Sequence, residues 1–384
     1  VKGAVSVVDG KTRVALVLGT STGGVGRHVA MLAAGLVRDG RRVVVAGPPG
    51  TAESFGFAAL GARFVPVPIA DRPHPRNDLR AIRTIRALRG ADVVHAHGLR
   101  AGALAALALT GSGTALVVTL HNAATAGGAV GAVYGLLERI VARRADRVLA
   151  VSPDLGERMR RLGARRVGAA VVPAPVPVVS GRRPEEIREE LGTGDAAVIL
   201  TVARLAQQKG LETLLDVAGS FAPGAGEVEG GTDARTAVFL VAGEGPLRGE
   251  LQGRIDRERL PVRLLGNRGD VGDLLRVARV LLTPSRWEGQ PLTVQEALRV
   301  GTPVVATAVG GVPAMVGEAG LLVPYGDVAA MRDAVARVLT DDDLVARLAE
   351  AAAARGRELP GEREALEAVL ETYAALAPGA PGTG

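Results

Sequence analysis

"ARVLLTPSRWEGQPLTVQEALRVGTPVVAT" (Ala278–Thr307) reads as strand, loop, helix and strand in succession. The apolar run ARVLLTP breaks at Pro284, and a second such run, TPVVAT, opens at Thr302. Between them Leu292, Val294, Ala297 and Leu298 recur at helical spacing until Gly301 stops the pattern. Pro291 suits the first helical position, since its φ is preset and it has no N–H to leave unsatisfied. The residue before it is Gln290, not a Ser, Thr, Asp or Asn that would cap the end. The amides of Leu292 and Thr293 are therefore predicted to lack a side-chain acceptor. Glu288 stays in the loop. Glu296 lies about 7–8 Å further along the axis, at ~1.5 Å per residue. Carboxylates so separated cannot share a proton; they can grip hydroxyls at opposite ends of an elongated ligand whose phosphates sit on the open amides.

The same alternation extends through the chain. RVALVLG, RVVVAG, ARFVPVPI, ADVVHAH, ALVVTLH, RVLAVS and AAVVPAP read as buried strands in the first half. AAVILTVA, TAVFLVAG, PVRLLG, ARVLLTP, TPVVAT and AGLLVPY follow in the second. Helix-length stretches such as Gly26–Asp39, Leu79–Leu88 and Val133–Arg144 lie between them. Near-continuous apolar strands separated by helices specify parallel sheets covered on both faces. The expected fold is therefore α/β, with two doubly wound, Rossmann-like domains in tandem. PAPVPVVSGRRPEE (Pro173–Glu186), with four prolines, breaks the rhythm as a linker. This places an N-terminal domain at 1–180, a C-terminal domain at 181–360, and a last helix and tail at 361–384. APGAGEVEGGTDART (Ala222–Thr236) reads as a surface insertion and PGAPGTG as a frayed end.

Composition narrows the function classes. The 384 residues contain no cysteine, which excludes a disulfide framework and thiolate metal sites. No apolar run reaches the ~18 residues of a membrane span. The opening VKGAVSVVDGKTR lacks the apolar segment of a signal peptide, so a cytoplasmic protein is expected. Lysine occurs only at Lys2, Lys11 and Lys209, so Lys209 stands out among the arginines. Residues 1–180 hold 24 Lys and Arg against 10 Asp and Glu, while the remainder holds 22 against 30. A basic half beside an acidic half either meets an anionic partner or is the solvated surface of an arginine-rich chain. Nucleic acid is a poor partner, because no aromatics interleave the arginines to stack on bases.

Doubly wound sheets bind ligands at the carboxyl ends of their strands. In the first half those ends carry GTSTGGVG (Gly19–Gly26), His95 and His97 in HAH, and His121 with Asn122. In the second they carry Arg204 and Lys209, Glu244, Asn267 with Arg268, and the Pro284–Pro291 loop. Arg204, Lys209 and an uncapped helix end can converge on one diphosphate through fixed charge, backbone donors and the helix dipole.

The ordered set ARLAQQKG, LVAGEGP, LLG, SRWEGQPLTVQEALRVGTPVVATAVGGVP and GLLVP resembles the nucleotide-binding half of the family 4 glycosyltransferases, which have the GT-B fold. GGVGRHVAMLAAGLVRDGRRV, DVVHAHG and VVTLH are similar to the acceptor half of that family. The resemblance implies a retaining transfer from a nucleoside-diphosphate sugar, without a metal or other cofactor. It implies that Arg204 and Lys209 hold the diphosphate, that Glu288 and Gly289 meet the donor sugar, and that Glu296 meets the ribose. The open amides of Leu292 and Thr293 would face phosphate, with Asn267 and Arg268 near the base. Gly23 and Gly24 would let backbone approach the diphosphate, and His121 would lie by the donor sugar. The family often has Asn-Gly after its seventh strand, where this chain has Pro173-Ala174-Pro175, and the resemblance also implies that the last helix, Arg363–Leu376, crosses back to pack on the first domain.

Two other classes compete. GTSTGGVG invites a dinucleotide-dependent oxidoreductase, but it lacks regular G-x-G-x-x-G spacing, and RRVVVAGPPG ends its strand without the ribose-binding acid. A GT-B protein that binds without catalysing is the other; within GT-B enzymes, a nucleotide-sugar epimerase is a smaller alternative. The acceptor is unidentified. Arg80, Arg83 and Arg86, interleaved with Leu79, Ile82, Ile85 and Leu88, form a basic amphipathic helix, and RMRRLGARR (Arg158–Arg166) adds five arginines. Either these are solvated faces, or they meet a phosphorylated or lipid-linked acceptor peripherally at the inner face of an anionic membrane.

Overall fold

Branched and small apolar side chains fill both faces of the inner strands, and such strands are stable only inside a layered sandwich. A computed structural model describes residues 12–21, 23–70, 73–123, 128–222 and 236–376. The insertion expected at Ala222–Thr236, save its two end residues, and the tail at 378–384 lie outside the described residues. Seven strands form the first sheet: β1 (Arg13–Leu18), β2 (Arg42–Gly47), β3 (Arg63–Pro66), β4 (Val93–His97), β5 (Ala115–Leu120), β6 (Arg147–Ala150) and β7 (Val167–Ala169). Their order is β3-β2-β1-β4-β5-β6-β7, all parallel. Six form the second: β8 (Ala197–Val202), β9 (Ala237–Ala242), β10 (Val262–Gly266), β11 (Val280–Thr283), β12 (Val304–Thr307) and β13 (Gly320–Val323). Their order is β10-β9-β8-β11-β12-β13, again parallel. Two Rossmann-like units in tandem are thus present.

The second sheet shows how the winding works. Along β8 the side chains alternate, Ile199 entering one core and Val198 and Leu200 the other. Helices Leu211–Gly219, Arg248–Glu258 and Val328–Thr340 close the first face. Helices Pro184–Leu191, Val271–Val277, Leu292–Val300 and Val312–Val316 close the second. Asp341 caps the helix Asp342–Glu358, accepting from the Leu344 N–H at 2.7 Å, so the Asp341–Asp343 run is a helix start.

Three local readings need correction. The seventh strand is Val167–Ala169 and stops short of most of AAVVPAP. Its ladder with β6 ends at Ala169, beyond which the Ala170 N–H donates to the Ala150 carbonyl. Leu79 is 47% exposed; the buried face of the helix Pro75–Arg86 is Ala81 and Ile85, one helical turn apart. Pro291 is the cap of the helix Leu292–Val300 rather than its first residue, with ψ at 119°.

The chain divides into two compact units, Val1–Pro173 with Pro360–Gly384, and Ala174–Leu359. The proline-rich run goes with the second, where the Ala174 N–H donates to Gln295 Oε1 (2.9 Å) and the Ser180 N–H to Asp273 Oδ1 (2.9 Å). The last helix, Glu362–Ala374, goes with the first, where its Leu366 lies against Gly35 of the helix Gly24–Arg38.

The loops leaving β8 and β9 touch through glycine. Gly243 has φ +141°, and a Cβ there would lie 2.0 Å from the Ala203 carbonyl oxygen. Gly243→Ala is therefore expected to cost about 2 kcal/mol or more, through strain and displaced backbone. Urea unfolding would measure it, and an unchanged midpoint would show that the two loops are not bound to this approach.

Candidate functional site

In the second unit the order β9-β8-β11 reverses the direction in which strands are added, so β8 and β11 flank the switch point where such sheets take ligands. The loops leaving these strands are locked together. The Arg286 N–H donates to the Gln208 carbonyl (2.8 Å), and Gln208 Nε2 donates to the Trp287 carbonyl (3.0 Å). Gly210, at φ +62°, allows this: a Cβ would sit 2.0 Å from the Pro284 carbonyl oxygen. The loop after β12 adds a third clamp. Its Gly311 N–H donates to the Glu288 carbonyl at 3.0 Å, while Thr307 Oγ1 donates to the Ser285 carbonyl at 2.6 Å.

These clamps hold Glu288 inside. Its side chain is 7% exposed, and Oε1 accepts from Lys209 Nζ at 2.5 Å and from Ser285 Oγ at 2.7 Å. A carboxylate this buried stays charged only with a cation and hydrogen bonds around it. Lys209, its side chain 26% exposed, serves Glu288. Residues read separately from the sequence as a phosphate cation and a sugar acid are thus one ion pair. Ser285 escaped the sequence reading as a site residue; a polar side chain two residues beyond an apolar strand and three before a loop glutamate was the available signal.

Arg204, on the loop leaving β8, is exposed, and its guanidinium makes no ion pair with another described residue. Gly289 is buried beside Glu288. No side chain of Pro291 caps the helix Leu292–Val300, so that residue leaves the Leu292 and Thr293 amides available to an acceptor from outside. Glu296 lies half-buried on that helix. Arg204, Lys209, Glu288 and the helix start therefore share one edge of the second sheet. Asn267 and Arg268 follow β10, two strands out from β8. Arg268 is tied into a network with Asp270 (2.5 Å) and Glu190 (2.8 Å), and these hydrogen bonds raise its pKa above the ordinary arginine value while lowering that of Asp270. Glu244 pairs with Arg248 at 2.8 Å. Gln295 was also missed; buried, it holds the backbone at Ala174 in the run that replaces Asn-Gly.

In the first unit the switch point lies between β1 and β4. Gly23 caps the helix Gly24–Arg38 without a side chain, and Ser21 Oγ accepts the Gly26 N–H at 3.0 Å. Two-residue spacing in HAH puts His95 and His97 on one face of β4, and the same spacing puts Thr119 of β5 and His121 just beyond it on that face. His28 approaches from the helix, giving four buried imidazoles together. Ring centroids lie 4.2 Å apart for His95–His97, 5.5 Å for His97–His121 and 5.5 Å for His28–His121. His97 Nδ1 meets His121 Nε2 at 3.2 Å. His95 meets the Tyr373 hydroxyl at 2.8 Å and Thr119 Oγ1 at 2.7 Å. Among the described residues, Nδ1 of His28 and Nε2 of His97 are buried without a partner. The return of the C-terminal helix to the first unit was expected, but not that its Tyr373 would meet His95, since sequence spacing carries no distance across 278 residues.

Burial disfavours charge on every member of this cluster. It lowers His28 to about 4, and, with repulsion from His28 added, lowers His95 to about 3. Burial first and neighbouring histidines second push His97 and His121 well below the ordinary value. Among the described residues no group of three His, Asp or Glu is disposed to hold a metal ion. No described helix is long and apolar enough to cross a membrane.

Comparison with known proteins matches both units. A family model described as "Glycosyl transferase 4-like domain" matches residues 23–175, and one described as "Glycosyl transferases group 1" matches 196–341. The D-inositol 3-phosphate glycosyltransferase of Xylanimonas cellulosilytica is 33% identical over 306 residues, covering 74% of this chain and 72% of that one. The alpha-D-kanosaminyltransferase of Streptomyces kanamyceticus is 29% identical over 251 residues, so the match spans 62% of this chain and 62% of that relative. Among solved structures, Anabaena Alr3699/HepE in complex with UDP shares the fold with a TM-score of 0.78 at 18% identity, covering 95% of this chain and 100% of that one.

The histidine cluster sets a pH dependence. Unfolded histidines titrate near pH 6.5, whereas His28 and His95 in the folded unit resist protonation down to about 4 and about 3. Below pH 6.5 the unfolded chain thus binds more protons than the folded one. Stability from these groups is complete above pH 6.5 and falls progressively toward pH 4. Thermal unfolding across pH 4–8 should show this fall, and His28→Gln should flatten it. An equally steep fall in the variant would remove His28 from its cause.

Proposed function

The chain belongs to the family 4 glycosyltransferases of GT-B fold, and from that premise we propose that it moves a sugar from a nucleoside-diphosphate sugar to an acceptor hydroxyl with retention at the anomeric carbon. The observation that carries this reading is the Lys209–Glu288 pair at the switch point of the second unit, with an uncapped helix start on the same edge and Arg204, in no ion pair among the described residues, on the loop leaving β8. A diphosphate needs fixed positive charge and backbone donors, and this edge supplies both. Glu288, Gly289 and Glu296 take hydroxyls of the sugar and the ribose. In the transfer the bond from the anomeric carbon to the diphosphate oxygen breaks and one to the acceptor oxygen forms. The acceptor's proton leaves with the nucleoside diphosphate, whose charge Arg204 and Lys209 stabilise. His121, Gly23 and Gly24 are the first unit's contribution to this reading, which calls for no metal. The HepE structure holds UDP, so UDP-sugars come first in a thermal-shift panel of nucleotide sugars.

The two cations make different tests. Arg204→Ala strands no partner, so kcat should fall about 100- to 1,000-fold with the melting temperature nearly unchanged. Lys209→Ala also leaves the Glu288 carboxylate buried and unpaired, so it should lose activity and stability together. Turnover measured with the donor found by the panel, alongside thermal unfolding, separates the effects; wild-type turnover in Arg204→Ala would remove that residue from the site.

For the acceptor we propose a phosphorylated or lipid-linked molecule met at an anionic membrane surface. The helix Pro75–Arg86 turns Arg76, Arg80, Arg83 and Arg86 outward beside the exposed Leu79, which supports this. The Xylanimonas relative is itself named for a phosphorylated compound. Each basic side chain near such a surface contributes about 1 kcal/mol, weakened by salt. Replacing Arg80, Arg83 and Arg86 by Ser should reduce co-sedimentation with anionic liposomes at low salt. Equal capture by neutral and anionic liposomes would exclude the surface and leave a soluble acceptor.

A further inference from the structure

Four imidazoles sealed together must share few protons, and where each proton sits decides what the cluster can offer a ligand. His97 Nδ1 and His121 Nε2 are 3.2 Å apart, and burial keeps both rings neutral, so one nitrogen donates and the other accepts. Two arrangements satisfy that bond. In one, His97 donates from Nδ1, its sealed Nε2 is a lone pair, and His121 carries its proton on Nδ1. In the other, His121 donates from Nε2, and His97 is left with an N–H buried at Nε2 and no acceptor. A buried N–H without an acceptor is the rarer defect in folded proteins, so the first arrangement is favoured. The hydroxyls of Tyr373 and Thr119 suit either tautomer of His95, since each can donate or accept. They impose nothing on His97. The same reasoning makes the sealed Nδ1 of His28 a lone pair and puts its proton on Nε2.

We propose that His97 is a positioning residue that fixes His121 as the Nδ1–H tautomer, so that His121 meets its ligand as a hydrogen-bond donor to oxygen and cannot act there as a general base. The role toward a sugar or phosphate oxygen rests on the transferase reading above; the tautomer does not. A neutral imidazole used this way stabilises charge growing on an oxygen without itself gaining a proton. The orienting group behind it would be a second histidine, where a carboxylate or backbone carbonyl more often serves.

Long-range proton–nitrogen NMR correlations on the full chain at pH 8, with 15N in the five histidine rings, read each tautomer directly. Assignment uses single substitutions. Protons on Nδ1 of His97 and His121, and on Nε2 of His28, are expected. His97→Leu should return His121 to the Nε2–H form. His97→Asn places an amide N–H where Nδ1 was and should keep His121 as it is. A wild-type His121 protonated on Nε2, or one indifferent to His97→Leu, overturns the proposal. Turnover of the sugar nucleotide chosen by the thermal-shift panel supplies the second readout. His97→Leu should lower kcat about 10- to 100-fold with KM within about threefold, and His97→Asn should restore most of it. A changed tautomer with wild-type kcat would show that the tautomer has no role in turnover and would overturn that part. Should His97→Leu not fold, the wild-type spectrum and His97→Asn decide. If no sugar nucleotide is turned over by the wild type, the transferase reading fails while the spectra still test the tautomer.

Discussion

A parallel strand buried on both faces has no side open to water, so only its ends can carry chemistry. That constraint governs both units. Apolar alternation along β8 feeds two cores at once, and the site's charged residues lie beyond the carboxyl ends of the strands, where loops follow Val202, Thr283 and Thr307. Because those loops leave neighbouring strands, they meet, and each meeting is bought with a glycine where a Cβ would strike backbone. The charged groups then follow. Glu288 can be buried because three loops close around it and Lys209 and Ser285 close on its carboxylate.

Much of the architecture is written in the chain for the same reason. Strands buried on both faces must be runs of Val, Leu, Ile and Ala, and twelve of the thirteen strands fall inside such runs. β7 does not: it lies at the sheet's edge over Val167–Ala169, and only its last residue falls within the apolar stretch AAVVPAP. Helix ends shift by a residue or two, as with Pro291, since capping geometry and propensity disagree there.

The site was legible as parts and not as an arrangement. Glu288, Lys209 and Arg204 stand out by type and position, but the ion pair joins loops 79 residues apart, and sequence spacing carries no distance across such a gap. Arg268 looks like a ligand residue by position, yet Asp270 and Glu190 engage it within the unit. In the first unit the two-residue period foretells that His95, His97, Thr119 and His121 share a face. It does not foretell His28 or Tyr373, whose arrival depends on helix packing and on the return of the chain.

Tyr373 gives that return a consequence in time. The first unit consists of Val1–Pro173 and Pro360–Gly384, so its histidine cluster waits for a partner made last. On a ribosome, the 186 residues of Ala174–Leu359 must be made in between, which takes roughly 10–40 s at 5–20 residues per second. During that interval His95 has Thr119 but not Tyr373, and Gly35 has no Leu366 against it. The first unit is therefore begun first and finished last, and a chain released early carries an incomplete N-terminal half however well that half was translated.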